Sequence, residues 1–314
     1  MLDIIGKRKW YFLLSTLVII PGLIAMGLSI ARFGSPVRLS IDFTSGSMLE
    51  VRFEQAVQPG DVRAVVQSQG LQDSKVTTVG DDRTVAIRTK PMEADAKLAL
   101  EKALEGRFGP LTELRFETVG PSIGKEVTRA AIIAVLAASL AILGFIIVAF
   151  RKVPNAFRYG VCALVAMVHD ILVSVGLFSL LGLLLGWEAD ALFLTALLTV
   201  IGFSVQDTIV VFDRIRENVI RRRGEPYELI VNRSLLETLH RSLATQLNAM
   251  FVMVAILFFG GATMRQFVAV MFVGMISGTY SSIFNAVPLL VVWEKDELGA
   301  LFRRLRGASA APAQ

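Results

Sequence analysis

Residues 200–219 read VIGFSVQDTIVVFDRIRENV, and they place three polar residues, Gln206, Asp207 and Thr208, inside a long apolar run. An acid at the centre of a membrane helix costs about 2.5–3.5 kcal/mol on insertion scales. An asparagine or a glutamine would serve a structural role at lower cost. If this run crosses a membrane, we therefore expect Asp207 to have a function that needs an ionisable group.

The composition of the whole chain is that of a membrane protein. Of its 314 residues, 54% are hydrophobic and 19% are charged, and the mean hydropathy is +0.61. Soluble domains carry about 25% charged residues. The apolar residues form six blocks, each long enough for a hydrocarbon core that needs about 20 residues. The predicted spans are 11–31, 130–150, 159–186, 191–213, 243–262 and 267–293.

The basic residues predict the orientation of the chain. They lie beside the apolar blocks, so the net charge of +5 indicates topology rather than binding to nucleic acid. With six spans, four basic clusters fall on one side, which places both termini in the cytoplasm. The clusters are Lys7, Arg8 and Lys9; Arg151, Lys152 and Arg158; Arg214, Arg216, Arg221, Arg222 and Arg223; and Arg303, Arg304 and Arg306.

The first span has an alternative interpretation as a cleaved signal peptide. Ser29, Ile30 and Ala31 form a small-x-small pattern after the apolar run. The run is longer than a signal h-region of about 7–15 residues, which favours a retained membrane helix. The single cysteine, Cys162, lies in an apolar block, so the sequence predicts no disulfide, no cysteine-based metal site and no cofactor.

Four segments follow from this pattern. Residues 1–33 form the cytoplasmic N-terminus with the first membrane helix, and 34–127 form an extracytoplasmic domain. Residues 128–294 hold membrane helices two to six, and 295–314 form a cytoplasmic tail.

The extracytoplasmic segment has the order βαββαβ, which is that of a ferredoxin-like α+β domain. Its predicted elements are a strand at 47–54, a helix at 59–70, a hairpin of KVTTVG and RTVAIRTK around Asp81 and Asp82, a helix at 93–109 and a strand at 111–120. This domain contains no histidine and no cysteine. We interpret it as a folded module, and a contact with a partner or a passing polypeptide through its strand edges is the alternative.

Further polar residues lie in the other apolar blocks. His169 and Asp170 fall inside the third span, and Arg241 begins the fifth. The His169–Asp170 pair has two interpretations, a buried structural pair that holds helices together and a role in transport. By helical spacing Ser204, Asp207 and Val211 share one face. A second predicted face holds Arg241, Thr245 and Asn248. We expect the two faces to meet, so that Arg241 approaches Asp207 and the pair responds to protonation.

Small residues repeat every four positions at Gly182 and Gly186 and at Gly274 and Gly278. This spacing predicts close packing between helices.

The chain resembles the SecD–SecF family of bacterial protein-export membrane proteins, and within it the SecF-type subunits. The resemblance covers nearly the whole chain and rests on IDFTSGSMLEVRF (41–53), VGPSIGKEV (119–127), AMVHDILVSVGLFSL (166–180), GFSVQDTIVVFDRIREN (202–218), LHRSLATQ (239–246) and GMISGTYSSIFNAVPLL (274–290). It implies half of a transporter of the RND superfamily, with six membrane helices, in the bacterial inner membrane. SecD would supply the other half.

The resemblance also implies a function. Such a subunit is expected to work with SecD and the SecYEG channel, and with YajC, to pull secretory polypeptides outward with the proton-motive force. The family's functional acid falls on Asp207, its arginine on Arg241, and its His-Asp pair on His169 and Asp170. The supporting polar residues would then be Ser204, Gln206 and Thr208.

The chain departs from the family pattern at two positions. Gln206 stands where asparagine is usual, and Ser45 replaces a glycine of the D-F-T-G-G turn, although Gly46 remains. Glycine is the residue that readily adopts positive φ, so the turn at Ser45 is in question. Acid, hydroxyl and amide groups can also bind sodium, so the sequence leaves the coupled ion open.

Three other interpretations remain. Asp170 and Asp207 could form an aspartyl protease dyad, but the Gly-x-Gly-Asp context of such membrane enzymes is missing, so we expect no enzyme activity. The chain could instead be a proton-coupled RND-type exporter half for small molecules or lipids. A purely structural scaffold would leave the polar stripes unexplained.

Overall fold

The fold is described from a computed structural model, which describes residues 2–151, 155–222 and 224–297. Five basic residues of the predicted clusters and most of the predicted tail 295–314 lie outside these residues. The five are Lys152, Arg223, Arg303, Arg304 and Arg306.

The chain divides into two compact units. One comprises the residues up to Arg38 and from Ile133 onward, and the other comprises Leu39–Ile132. In chain order the elements are α1 (Arg8–Phe33), α2 (Ile41–Thr44), β1 (Gly46–Phe53), α3 (Pro59–Ser68), β2 (Lys75–Val79), β3 (Asp81–Thr89), α4 (Ala94–Phe108), β4 (Leu111–Val119), α5 (Pro121–Ala149), α6 (Ala156–Leu185), α7 (Ala191–Arg221), α8 (Tyr227–Phe259), α9 (Ala262–Ser281), a π-helical segment (Ser282–Ala286) and α10 (Val287–Glu294).

Within the part of the chain that the structure describes, six helices are long and apolar enough to cross a membrane, which confirms the predicted number. They are α1, α5, α6, α7, α8 and the run from α9 to α10. Half of the apolar window is buried in α6, in α7 and in the α9–α10 run, against 17% in α1 and α8 and 6% in α5. The first three therefore form the centre of the membrane unit, and the others lie at its periphery.

Three of these helices extend well beyond the predicted spans. α5 begins at Pro121 instead of residue 130, α7 continues past residue 213, and α8 begins well before residue 243. Ion pairs at helical spacing support the polar end of α7: Arg216 to Asp213 at 2.6 Å and Arg221 to Glu217 at 2.6 Å. Pairs three and four residues apart stabilise a helix surface. Apolar composition alone therefore marked the membrane-embedded part of each helix but not its end.

The Leu39–Ile132 unit has the predicted ferredoxin-like fold. Its antiparallel sheet has the strand order β2-β3-β1-β4. Leu49 and Val51 of β1 share a buried core with Val62 of α3 and Leu100 of α4. The β2–β3 hairpin turns at Gly80, which has a φ of 74°, instead of around Asp81 and Asp82 as predicted.

The turn that leads into β1 contains a strained serine. Ser45 has φ 62° and ψ 168°, a region that is nearly restricted to glycine and costs about 1–3 kcal/mol. At Gly46, where φ is 126°, a Cβ atom would lie 2.6 Å from the carbonyl oxygen of Thr89. The positive φ expected from the sequence at this turn is therefore present at the serine as well as at the glycine.

This strain predicts opposite effects of two substitutions. Ser45→Gly should stabilise the unit by about 1 kcal/mol, because relief of strain outweighs the greater flexibility of glycine in the unfolded chain. Gly46→Ala should destabilise it by about 2 kcal/mol or more. Pulse proteolysis of the full-length chain in urea measures both. Ser45→Ala is the matched control and should behave as wild type; an equal gain from Ser45→Ala would show that strain is not the cause.

Glycines permit close helix packing in the membrane unit, as predicted for Gly274 and Gly278. A Cβ atom on Gly274 would lie 2.2 Å from Cγ2 of Val200 on α7, and one on Gly278 would lie 3.2 Å from Cβ of Ser204. Gly186 instead ends α6 with a φ of 75°. The contact of α9 with α7 thus depends on two positions that lack a side chain.

We expect Gly274→Ala to reduce the amount of folded chain, since overpacking a tight contact costs about 1–3 kcal/mol. Val200→Ala in the same chain should restore it, because the shorter side chain makes room for the added methyl group. Thermal unfolding in detergent micelles measures both effects. Gly202→Ala on α7 is the control, since its Cβ atom would meet nothing within 4 Å. Failure of Val200→Ala to rescue would contradict the packing argument.

Candidate functional site

Asp207 is buried between two helices. It lies about halfway along the 31 residues of α7 and is 5% exposed. Its Oδ2 atom accepts a hydrogen bond from Nε2 of Gln246 on α8 at 2.8 Å. The other amide atom, Oε1 of Gln246, is buried and has no partner among the described residues. Among the residues that the structure describes, the carboxyl group therefore has one neutral side-chain donor and no cation beside it.

The polar face of α8 that meets α7 differs from the predicted one. Ser234, Thr238, Ser242 and Gln246 are buried and repeat every four positions along this helix. The predicted face of Arg241, Thr245 and Asn248 is exposed. Both sets have helical spacing, and they lie on neighbouring faces of one helix. Spacing alone could not decide which face turned inward.

Arg241 does not contact Asp207, contrary to the predicted approach. Its side chain forms no hydrogen bond or ion pair with a described residue. It lines a polar cleft of about 340 Å³ between α7 and α8. The cleft is lined by Val210, Asp213, Arg214, Glu217, Glu237, Thr238 and Arg241.

Asp170 of α6 is held by two other helices, α7 and α9. It lies halfway along the 30 residues of α6 and is 1% exposed. Its carboxylate accepts hydrogen bonds from Ser204 of α7 at 2.5 Å and from Ser277 and Ser281 of α9, each at 2.6 Å. The sequence singled out Asp170 and Ser204 but missed the two serines of α9. Their four-residue spacing in an apolar helix was the available signal.

His169 is a further neighbour of the Asp170 carboxylate. Its Nδ1 atom lies 3.0 Å from Oδ1 of Asp170. Its Nε2 atom is buried without a partner among the described residues, and the ring lines an apolar cavity of about 260 Å³. Asp170 and Asp207 have separate partners, so the two acids do not form the shared-proton dyad of an aspartyl protease.

The supporting polar residues fall in different places. Ser204 donates to Asp170, and Thr208 donates to the backbone oxygen of Ser204 at 3.1 Å. Gln206 is exposed on the outside of α7 and does not face Asp207, contrary to its predicted role. An amide does donate to Asp207, but it belongs to Gln246, which was not predicted from the sequence.

The surroundings of Asp170 and of Asp207 are linked through α7. Ser204 contacts Asp170, and Asp207 follows three residues later on the same face. Polar side chains from α6, α7, α8 and α9 therefore form one band inside the membrane unit. Within residues 2–151, 155–222 and 224–297, no group of three or more His, Cys, Asp or Glu residues could hold a metal ion. Carboxyl groups in such a band can take up and release protons.

Two sequence profiles match the chain. The profile described as "Protein export membrane protein SecD/SecF, C-terminal" matches residues 99–296, and the "SecD/SecF GG Motif" profile matches residues 33–57. The second match includes the strained turn at Ser45.

Two curated relatives match over their full length. The protein translocase subunit SecF of Thermobaculum terrenum is 48% identical over an alignment of 322 positions, which covers 99% of this chain and 100% of the relative. The protein of the same name from Anaerolinea thermophila is 49% identical, with 100% of both chains covered. Both are named as translocase subunits.

A solved structure gives the same result. The crystal structure of SecDF from Thermus thermophilus, described as a translocon-associated membrane protein, matches with a TM-score of 0.77 and 34% identity. The match covers 94% of this chain but 39% of SecDF, so the chain spans about two fifths of that protein. The C-terminal profile alone matches more than half of the residues. The chain therefore belongs to the SecD/SecF family of protein-export membrane proteins.

Proposed function

We propose that this chain promotes export of secretory polypeptides with the proton-motive force, and that Asp207 binds and releases the proton. Its membership of the Sec translocase as an accessory subunit comes from the SecF relatives. The proton proposal rests on a buried acid in the middle of a membrane helix, which has one amide donor and no cationic partner within residues 2–151, 155–222 and 224–297. Ionisable groups at such positions mark ion pathways.

Arg241 would complete the coupling site by moving. It lies five residues before Gln246 on α8, which is about 7.5 Å along the helix axis and about 140° around it. A shift of α8 by about one turn, combined with a rotation about its axis, would bring the long guanidinium side chain to the place of the amide beside Asp207. One-turn shifts of one element past another occur in switching proteins. A proton moving down the membrane potential releases about 2.3 kcal/mol per 100 mV, which can drive such an exchange.

The His169–Asp170 pair would take part in the same proton path. Its carboxylate is joined to α7 through Ser204, and Thr208 holds the backbone of that residue. We place Gln206 differently, at the exposed edge of α7, where it is one turn from Val210 of the polar cleft.

The exposed polar residues favour a membrane partner. Gln206, Arg241, Thr245 and Asn248 are all exposed although they lie in membrane-spanning helices. Polar side chains in such helices usually face a bundle interior or a water-filled cavity. We propose that the other half of the transporter, SecD, covers them, since SecDF carries a further three fifths of chain beyond the matched part.

The remaining assignments follow the family. We propose SecYEG, YajC and the translocating polypeptide as further partners, and the bacterial inner membrane as the location. The basic residues beside the spans support a cytoplasmic position for both termini. Residues 34–127 would then form the extracytoplasmic domain.

The test measures export of a secretory precursor into membrane vesicles, with and without a proton gradient. For Asp207→Asn we expect the gradient-dependent part of export to disappear and the gradient-independent part to remain, because an amide cannot carry a proton. Asp213→Asn is the matched control, since Asp213 lies on the same helix, is exposed and pairs with Arg216 at 2.6 Å. Retention of gradient-dependent export by Asp207→Asn would exclude the proposed role.

A further inference from the structure

One carboxylate joins three of the central helices. Ser204 of α7 and Ser281 of α9 both donate to Oδ2 of Asp170, at 2.5 and 2.6 Å. Ser277 of α9 donates to Oδ1 at 2.6 Å. The three serines, which lie on α7 and α9, therefore all donate to one ionisable side chain of α6.

The helix held by two of these serines is interrupted directly after them. α9 ends at Ser281, and the π-helical segment begins at Ser282. Such segments have a wider hydrogen-bond pattern and are often found at functional sites. Pro288 follows closely and removes one backbone donor. α9 and α10 are thus two regular helices joined by a segment whose backbone hydrogen bonding is less regular. Asp170 holds the end of α9 next to this segment.

The bonds to Asp170 depend on its charge. An ionised carboxylate only accepts, which suits three hydroxyl donors. A proton added to Oδ2 turns that oxygen into a donor facing two serine hydroxyls, and the charge of the group changes from −1 to 0. Hydrogen bonds to a charged acceptor are about twice as strong as neutral ones. Protonation therefore weakens the hold on α9.

The surroundings of Asp170 contain few other titratable groups. His169 is on its own helix, Asp207 is one turn along α7 from Ser204, and Tyr280 of α9 has its ring centroid 6.1 Å from that of His169. Among the described residues, no lysine or arginine forms an ion pair with Asp170. The imidazole of His169, whose Nδ1 lies 3.0 Å from Oδ1, is the neighbouring group that can share a proton with the carboxylate. A change in the charge of this pair is therefore not masked by a lysine or an arginine.

We propose that Asp170, Ser204, Ser277 and Ser281 form a proton-dependent latch. The ionised carboxylate holds α9 against α6 and α7, and the protonated form releases α9 at the π-helical segment. The latch adds a conformational step to the proposed function. It depends on that function only for the proton that Asp170 takes up.

The test is hydrogen exchange of backbone amides in residues 278–290, measured by mass spectrometry on the full-length chain in lipid nanodiscs. Exchange is corrected for its intrinsic pH dependence. We expect the wild-type segment to exchange about tenfold faster at acidic than at alkaline pH, because local opening controls the rate. Asp170→Asn should exchange fast at both pH values.

Two further variants separate the latch from general damage. Ser277→Ala with Ser281→Ala removes only hydroxyl groups and should also exchange fast at both pH values. Ser282→Ala is the control, because Ser282 is equally buried but donates to the backbone oxygen of Thr279 at 3.2 Å. It should retain the wild-type response.

A wild-type pH response in either the Asp170 variant or the double serine variant would overturn the latch. Absence of a pH response in the wild-type chain would overturn it as well. Asp207→Asn should keep the response, because Asp207 touches none of the serines that hold α9. Exchange is measured without export, so the latch and the proposed function can fail independently.

Discussion

A chain carrying both Asp207→Leu and Gln246→Leu is expected to fold as well as wild type and to export only at the gradient-independent rate. Gln246→Leu alone should be less stable by about 1–3 kcal/mol, because it leaves the buried carboxyl group of Asp207 without its donor. Replacing both partners by apolar side chains removes that unsatisfied group. Stability should therefore recover in the double variant while coupling does not.

Thermal unfolding in detergent micelles and precursor export by vesicles give the two measurements. Thr245→Leu on the same helix is the control for thermal unfolding. Thr245 is exposed, and its hydroxyl group donates to the backbone oxygen of Arg241. Recovery of gradient-dependent export in the double variant would show that neither side chain carries the proton. Lack of recovered stability would show that the two side chains do not act as a pair.

The sequence predicted most of the fold because its two domains use different periodicities. Continuous apolar blocks predicted the six spans, and alternation with turn residues predicted the four strands. The joint in the last span was not predicted. Residues 274–290 read as one apolar run, and a π-helical segment has no spacing that distinguishes it from α-helix in a single sequence.

The candidate site was only partly predictable. The cost of an acid in a membrane helix identified Asp170 and Asp207 without any neighbour being known. Their partners depend on how the helices rotate against each other. On α8, polar residues at two adjacent faces left a choice, and the structure turns Gln246 inward and Arg241 outward. Gln206 was expected to support Asp207 because it is part of the family motif, but it is exposed on α7.

Arg241→Leu is expected to abolish gradient-dependent export while leaving the chain as stable as wild type. The side chain is exposed and has no partner among the described residues, so its removal should change the free energy of unfolding by no more than about 0.5 kcal/mol. A residue that contributes so little to the folded chain, yet places a charge in a membrane helix, is best explained by a second state or a partner. Export with and without a gradient, together with thermal unfolding, measures both expectations.

Two comparisons decide what Arg241 does. Arg265→Leu removes another exposed arginine and should leave export unchanged. Co-purification of SecD then separates the two explanations. If Arg241→Leu retains SecD but loses the gradient-dependent part of export, the guanidinium group acts on Asp207 in the shifted state of α8. If SecD is lost, Arg241 belongs to the contact between the two halves. Unchanged export would mean that the charge serves neither role, and the exchange of donors at Asp207 would have to be abandoned.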